Sequence, residues 1–300
     1  MTVPSFASIR GVAEVRLRRG RAAPEGAAPD LLLEVPHGAT KARHFDALLA
    51  NLRGPFPEGL RDFFFVNTDV GAPELAARVA ARVVASDPRR AVLVVRALVP
   101  RTFVDLNRVI DERTAPSTSG TGGVTPGIVS YVRDPGDLAL LLARYHAYRD
   151  LVERAYATVV GGGGRALMLH SYAPREVDVP VDERIVERLR DAYRPEKVGT
   201  WPLRAEVDLI TTTPDGTRLA DSGLAAALRA AFERSGLRCA EGAAYALHPA
   251  TMAHRFAERY PGRTLCLEVR RDLLVRAFTP FAEMEADPAK VDRVAACLAE

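Results

Sequence analysis

Three short apolar runs, each ending on polar residues, constrain this chain more than any other feature. "LLLEV" (31–35) stops at Pro36 and His37, "RALMLHSY" (165–172) ends through His170 and Ser171, and "RTLCLEVRRD" (263–272) carries Glu268 between Leu267 and Val269. Runs this short and this apolar read as strands buried on both faces, which belong to mainly parallel sheets covered by helices. Further strands are expected at "RDFFFVNTD" (61–69), ending at Asp69, and at "AVLVVRALV" (91–99), "RTFVDLN" (101–107) and "AEVDLITTT" (205–213). Helical periodicity intervenes at 72–85, 137–160, 182–194, 223–236 and 287–299. This alternation predicts one α/β domain over residues 1–300, with a mixed, mostly parallel central sheet and helices on both faces. Residues 1–28 read as a peripheral N-terminal extension, glycines 161–164 as a helix stop, and the Gly/Pro/Ser/Thr-rich stretch 114–136 as a long active-site loop.

Composition narrows the partners. With 48% hydrophobic and 26% charged residues the chain can bury a full core, and its net charge of +3 is small for 300 residues. No long block of like charge occurs, so no nucleic-acid partner is expected. Cys239, Cys266 and Cys297 are odd in number and lack paired spacing, which gives neither a disulfide framework nor a cysteine-built zinc site. The opening residues lack an apolar stretch of signal-peptide length, and no run of about 18 apolar residues follows. A cytoplasmic protein without a membrane span is the expectation; nothing in the sequence speaks to its oligomeric state.

Ligands of open α/β sheets bind at the carboxyl ends of strands. The sequence collects His37, Asp69, the segment 101–108, His170 and Glu268 there. Two histidines and one carboxylate with an open fourth position form the usual hydrolytic zinc site. A further carboxylate as general base and an arginine facing a developing oxyanion would complete an amide-hydrolysing set. Plainer readings compete: Asp69 also suits the cap of the helix that follows it, and Asp105 suits a structural role, holding Arg108 or a backbone amide. Glu268 in an apolar strand is costly unless paired or functional, and Arg270 shares its face and can orient it. His146, His248 and His254 read as packing residues, and His44 as a surface one. Arg101 and Arg108 would stand about 23 Å apart on a straight strand, so their joint use on one small ligand requires a bend within "VDLN".

The motifs "PHG" (36–38), "TDVGAPELA" (68–76), "RTFVDLNR" (101–108), "YHAYRDLVE" (145–153), "LHSY" (169–172) and "LEVRRDL" (267–273) together resemble the N-formylglutamate amidohydrolase family, which is related to the zinc carboxypeptidases and aspartoacylase. The resemblance implies a zinc-carboxypeptidase-like fold and one zinc ion held by His37 and His170. It implies Glu268 as the base that deprotonates the attacking water and later protonates the leaving amine, and Arg101 as the oxyanion stabiliser. Asn107 and Arg108 would hold the substrate carboxylate, with Tyr172 and Arg270 as further substrate contacts. The related enzymes place a glutamate three residues after the first zinc histidine, where this chain has Thr40. The third ligand is therefore sought at Asp69, with Glu34 as the alternative. The implied substrate is a small N-acyl amino acid, N-formyl-L-glutamate being the named choice, cleaved to formate and L-glutamate. The alternatives are a carboxypeptidase-like or peptidoglycan-directed peptidase, and a non-catalytic carboxylate-binding relative. "YALHPATMAHRF" (245–256) departs from the glycine-rich character of the family in this region.

Overall fold

The computed structural model describes residues 5–111 and 126–300. Its strands are β1 (Ala13–Arg19), β2 (Leu31–Val35), β3 (Ala91–Ala97), β4 (Arg165–Tyr172), β5 (Val207–Ile210), β6 (Cys239–Glu241) and β7 (Thr264–Arg270). The helices are α1 (Ala42–Leu49), α2 (Leu60–Asn67), α3 (Ala72–Ser86), α4 (Pro135–Val159), α5 (Ile185–Ala192), α6 (Pro195–Val198), α7 (Ser222–Arg234), α8 (Met252–Arg259) and α9 (Pro288–Ala299). The strands form one sheet in the order β1-β3-β2-β4-β7-β5-β6. β3, β2, β4 and β7 run parallel, and antiparallel pairings join β1 to β3 and β5 to β7. This is the expected single-domain α/β architecture with a mixed, mostly parallel sheet. The opening segment, expected as a peripheral extension, contributes β1 as the hydrogen-bonded edge strand.

Side-chain alternation along the central strands divides the core in two. Leu33, Val35, Leu167, Leu169, Leu265 and Leu267 face α3, α7 and α9. Leu32, Met168 and Cys266 face the opposite layer, built on α1, α2, α4 and α8. The register aligns His170 with Glu268 and Glu268 with Asp208, so these polar residues form a row across three strands on the second face. They stand where the parallel strands end, while the same strands remain apolar nearer their starts.

Two expected strands are not strands. Of residues 61–69, those up to Asn67 belong to α2 and the rest lead into the turn before α3: Leu60, Phe63 and Phe64 recur at helical spacing and are buried together. The consecutive aromatics suggest β structure only while their packing partners are ignored. Residues 101–108 coil through turns, and their strand-like pairing among the described residues is confined to the isolated bridges Val104 to Ile128 and Arg108 to Thr251. Asp105 is the cause, because its Oδ1 accepts from the Asn107 amide at 2.9 Å while the Arg108 amide donates to the Asp105 carbonyl. An Asp side chain bound to the backbone two residues on favours a turn over a ladder. Of the loop expected at 114–136, residues 114–125 lie outside the described residues.

Candidate metal centre and its cavity

His37 follows β2 and His170 lies near the end of the adjacent parallel strand β4, which places the two imidazoles side by side with ring centroids 4.9 Å apart. Gly38 permits the turn after His37, since a Cβ there would lie 2.6 Å from Arg96 Cγ. Asp69 comes from the turn between α2 and α3, and its amide donates to the His37 carbonyl at 3.3 Å. Gly71, with φ 88°, takes the left-handed turn into α3, and Leu274 stands 2.4 Å from where its Cβ would be. One ligand atom from each of His37, Asp69 and His170 lies within 4.8 Å of the others, and all three residues are buried. Asp69 Oδ2 is 2.8 Å from His170 Nδ1 and 3.4 Å from His37 Nδ1. Burial pushes the Asp69 carboxyl up, but the two imidazoles outweigh it and hold the group well below the usual carboxylate range.

The donor set fits a metal ion. His37 Nε2 donates to Asp105 Oδ1 at 2.7 Å, which fixes the tautomer and leaves Nδ1 as a bare lone pair. That Nδ1 is buried and has no hydrogen-bond partner, an expensive arrangement unless a cation completes it. Glu34, the alternative ligand, points elsewhere. Its carboxylate accepts from Tyr148 at 3.0 Å and Tyr156 at 2.9 Å, both on α4, and burial raises its pKa against the lowering effect of those hydroxyls.

Asp105 organises the segment that supplies the arginines. Its Oδ2 lies 2.8 Å from Arg101 Nε and 3.7 Å from Arg108 Nε, so both guanidiniums converge on one carboxylate. Burial opposes ionisation of Asp105, yet Arg101, Arg108 and His37 hold its carboxyl well below the ordinary value. The required bend is therefore present, but its effect is unequal: Arg101 lines the cavity, whereas Arg108 and Asn107 are not among the lining residues. Asn107 instead braces the metal group from behind, its Nδ2 3.4 Å from His170 Nε2 and its Oδ1 accepting from the Ala253 amide at 3.1 Å. Arg270 is likewise outside the cavity wall. It pairs with Asp272 at 2.8 Å and donates to the Arg204 carbonyl at 3.2 Å.

The cavity beside the metal group measures about 570 Å³. Glu268 opens onto it, with its Oε2 lacking a hydrogen-bond partner. Burial pushes the Glu268 carboxyl up to about 7, with Asp69 adding to the rise and His170, Arg204 and Arg101 opposing it. Opposite lies an apolar wall that includes Phe63, Val66, Val179, Ile185 and Leu189. Tyr172 contributes its ring, while its hydroxyl donates to the Ala205 carbonyl at 2.7 Å. Sequence reasoning passed over Arg175, Arg204, Arg271 and Tyr245, which also line the cavity, and gave His248 only a packing role. Arg271 had a usable signal, because it directly follows Arg270, the last residue of β7, and opens the 3-10 turn Arg271–Leu273; Arg204 and Tyr245 sit on connecting segments without a periodic pattern. His44 is half-buried rather than superficial, its Nδ1 accepting from the Lys41 amide at 3.2 Å.

Comparisons with known proteins bear on the family and the fold. The family model described as N-formylglutamate amidohydrolase matches residues 29–275. Among solved structures, the chain is similar to an N-formylglutamate amidohydrolase from Ralstonia eutropha, with 21% identity over 95% of each chain and a TM-score of 0.57. It is also similar to a gene product of Agrobacterium tumefaciens, with 18% identity over 96% of this chain and 92% of that one, and a TM-score of 0.54. At such identities these two likenesses speak for the fold. No curated protein matches the chain.

Proposed function

The chain belongs to the N-formylglutamate amidohydrolase family, and from that premise we propose that it hydrolyses the amide bond of a small N-acyl amino acid, N-formyl-L-glutamate first among candidates, with one zinc ion held by His37, Asp69 and His170. The observation that carries this reading is the unpartnered Nδ1 of His37, aimed at Asp69 and fixed by Asp105. When bound, zinc supplies Lewis-acid polarisation of the scissile carbonyl and makes water acidic enough to attack near neutral pH.

The chain's own residues do the rest. Glu268, with its carboxyl pushed up to about 7, takes a proton from the attacking water and returns it to the leaving nitrogen; a base with pKa near the working pH suits both transfers. Arg101, oriented by Asp105 at 2.8 Å, faces the negative charge that develops on the carbonyl oxygen. Burial at the sheet edge keeps bulk water from the imidazoles. Cys266, buried behind Glu268 with its thiol pushed far up by burial, stays protonated and takes no part.

A second substrate reading draws on the apolar wall. A cavity of about 570 Å³ lies within the range that accommodates drug-sized ligands, roughly 300–1,000 Å³, whereas a formyl group is a single carbon. An N-acyl amino acid with a larger apolar acyl group would cover Phe63, Val66, Ile185 and Leu189. Zinc-reconstituted protein assayed on N-formyl-L-glutamate, longer N-acyl glutamates and dipeptides separates these readings. Hydrolysis of N-acyl amino acids over dipeptides is expected, and a clear preference for dipeptides would refute the deacylase assignment in favour of a peptidase.

A further inference from the structure

Four guanidiniums line the cavity, those of Arg101, Arg175, Arg204 and Arg271. Three of them are engaged by the protein. Arg101 is held on Asp105, Arg175 donates to the Trp201 carbonyl at 2.8 Å, and Arg271 donates to the Ser171 carbonyl through two nitrogens at 3.2 and 3.1 Å. Arg204 differs. Its Nε is buried without a hydrogen-bond partner, and among the described residues the guanidinium forms no ion pair. It lies instead between two aromatic rings, with its Cζ 5.0 Å from the Tyr172 centroid and 5.5 Å from the Tyr245 centroid.

The surroundings hold this geometry in place. The Arg204 amide donates to the Pro174 carbonyl at 3.0 Å, and its carbonyl accepts from Arg270, itself paired with Asp272. Tyr172 is anchored by the Ala205 carbonyl. The strand-end loop carrying Tyr245 is tied down by Asp208, which accepts from the Ala243 amide at 3.0 Å and the Ala244 amide at 2.7 Å. Ring faces restrict a guanidinium to one plane and leave its edge, with paired N–H groups, for a ligand. A planar edge of that kind matches a carboxylate through two parallel hydrogen bonds.

We propose that Arg204, clamped between Tyr172 and Tyr245, binds a carboxylate of the substrate's amino-acid half, the task that the sequence resemblance gave to Arg108 and Asn107. The inference rests on the amidohydrolase reading for the identity of the ligand, and on the cavity alone for the existence of an anion site. Arg270 is then a positioning residue, acting through the Arg204 main chain. The acceptor is a free carboxylate rather than an amide, because a neutral amide cannot supply two acceptor oxygens to the fork.

The test uses zinc-loaded protein and calorimetric binding of L-glutamate and its two monoamides, glutamine and isoglutamine. The wild type is expected to bind glutamate and to bind one monoamide roughly 10- to 100-fold more weakly, the range for a charge-assisted hydrogen bond. Arg204→Gln should weaken glutamate by a similar factor and erase the discrimination against that monoamide. Arg204→Lys, which keeps the charge without the fork, should lose part of the affinity and guards against a glutamine variant that fails to fold. Unchanged discrimination in a folded Arg204→Gln, an Arg204→Lys that binds glutamate as tightly as the wild type does, or a wild type that binds none of the three, overturns the proposal. Glutamate binding that depends on Arg204 without hydrolysis of any N-acyl amino acid would keep the anion site and remove the amidohydrolase reading.

Discussion

The two ends of the cavity are built by different means. At the closed end His37, Asp69 and His170 are each 3% exposed, come from strand ends and one turn, and are oriented by further buried groups such as Asp105 and Asn107. At the open end Tyr245 is 40% exposed, and Arg204 is steered by ring faces and backbone hydrogen bonds alone. A metal tolerates little error in ligand placement, so its donors are fixed by the sheet and by charge-assisted hydrogen bonds before any ligand arrives. A substrate carboxylate brings its own hydrogen bonds, so its cation can remain unpaired within the protein until binding. The proposed function puts the chemistry at the first end and selectivity at the second, and substitutions should separate them.

The largest expected effect is at the closed end. Glu268→Gln should lower kcat about 10²- to 10⁴-fold, the usual contribution of general acid–base catalysis, with zinc content unchanged; substantial residual turnover would exclude Glu268 as the base. Asp105→Asn keeps the size of the side chain but loosens the hold on His37 and the two arginines. It should weaken zinc binding about 10- to 100-fold, measured by competition with a chromophoric chelator, and an unaltered affinity would show that His37 needs no orienting carboxylate.

A stability measurement sharpens the same comparison. Folding raises the Glu268 pKa from 4.5 to about 7, so between those values the folded chain holds a proton that the unfolded chain has released. Its contribution is therefore fully present below the ordinary carboxylate pKa and is lost as pH rises through about 7. In metal-free protein Glu268→Gln should match the wild type near pH 4 and exceed it near pH 8 by on the order of 3 kcal/mol in urea unfolding. Equal stabilities at both pH values would mean that Glu268 carries no such strain. The smallest effect belongs away from the cavity: Tyr148→Phe leaves Glu34 with only the Tyr156 hydroxyl of its pair and should cost about 1–2 kcal/mol of stability while changing kcat little.

The same division explains what could be learned from the sequence. The strands at 31–35, 91–97 and 165–172 are legible because apolar runs buried on both faces leave few alternatives, and polar residues at their ends mark the ligand-binding edge. His37, Asp69 and His170 follow from that rule, although Asp69 was reached through a strand that is in fact α2. The error did no harm, since the helix and the imagined strand both deliver the chain to the same sheet edge. Residues 101–108 were misread because Phe103, Val104 and Leu106 are buried whether the backbone is extended or coiled. Asp105 decided the outcome, through a turn and through contacts to His37, Arg101 and Arg108 that no local pattern displays. Arg204 and Tyr245 were invisible for a related reason: their partnership is made by the meeting of two connecting segments and of a ring at the end of β4.

The account depends first on one metal ion at the closed end. Zinc content after reconstitution and removal of excess metal, measured on the wild type, His37→Ala and Asp69→Ala, tests it most directly. About one equivalent in the wild type and less than roughly a tenth in each variant is the predicted result. A wild type that retains no zinc, or variants that retain as much as the wild type, would contradict it.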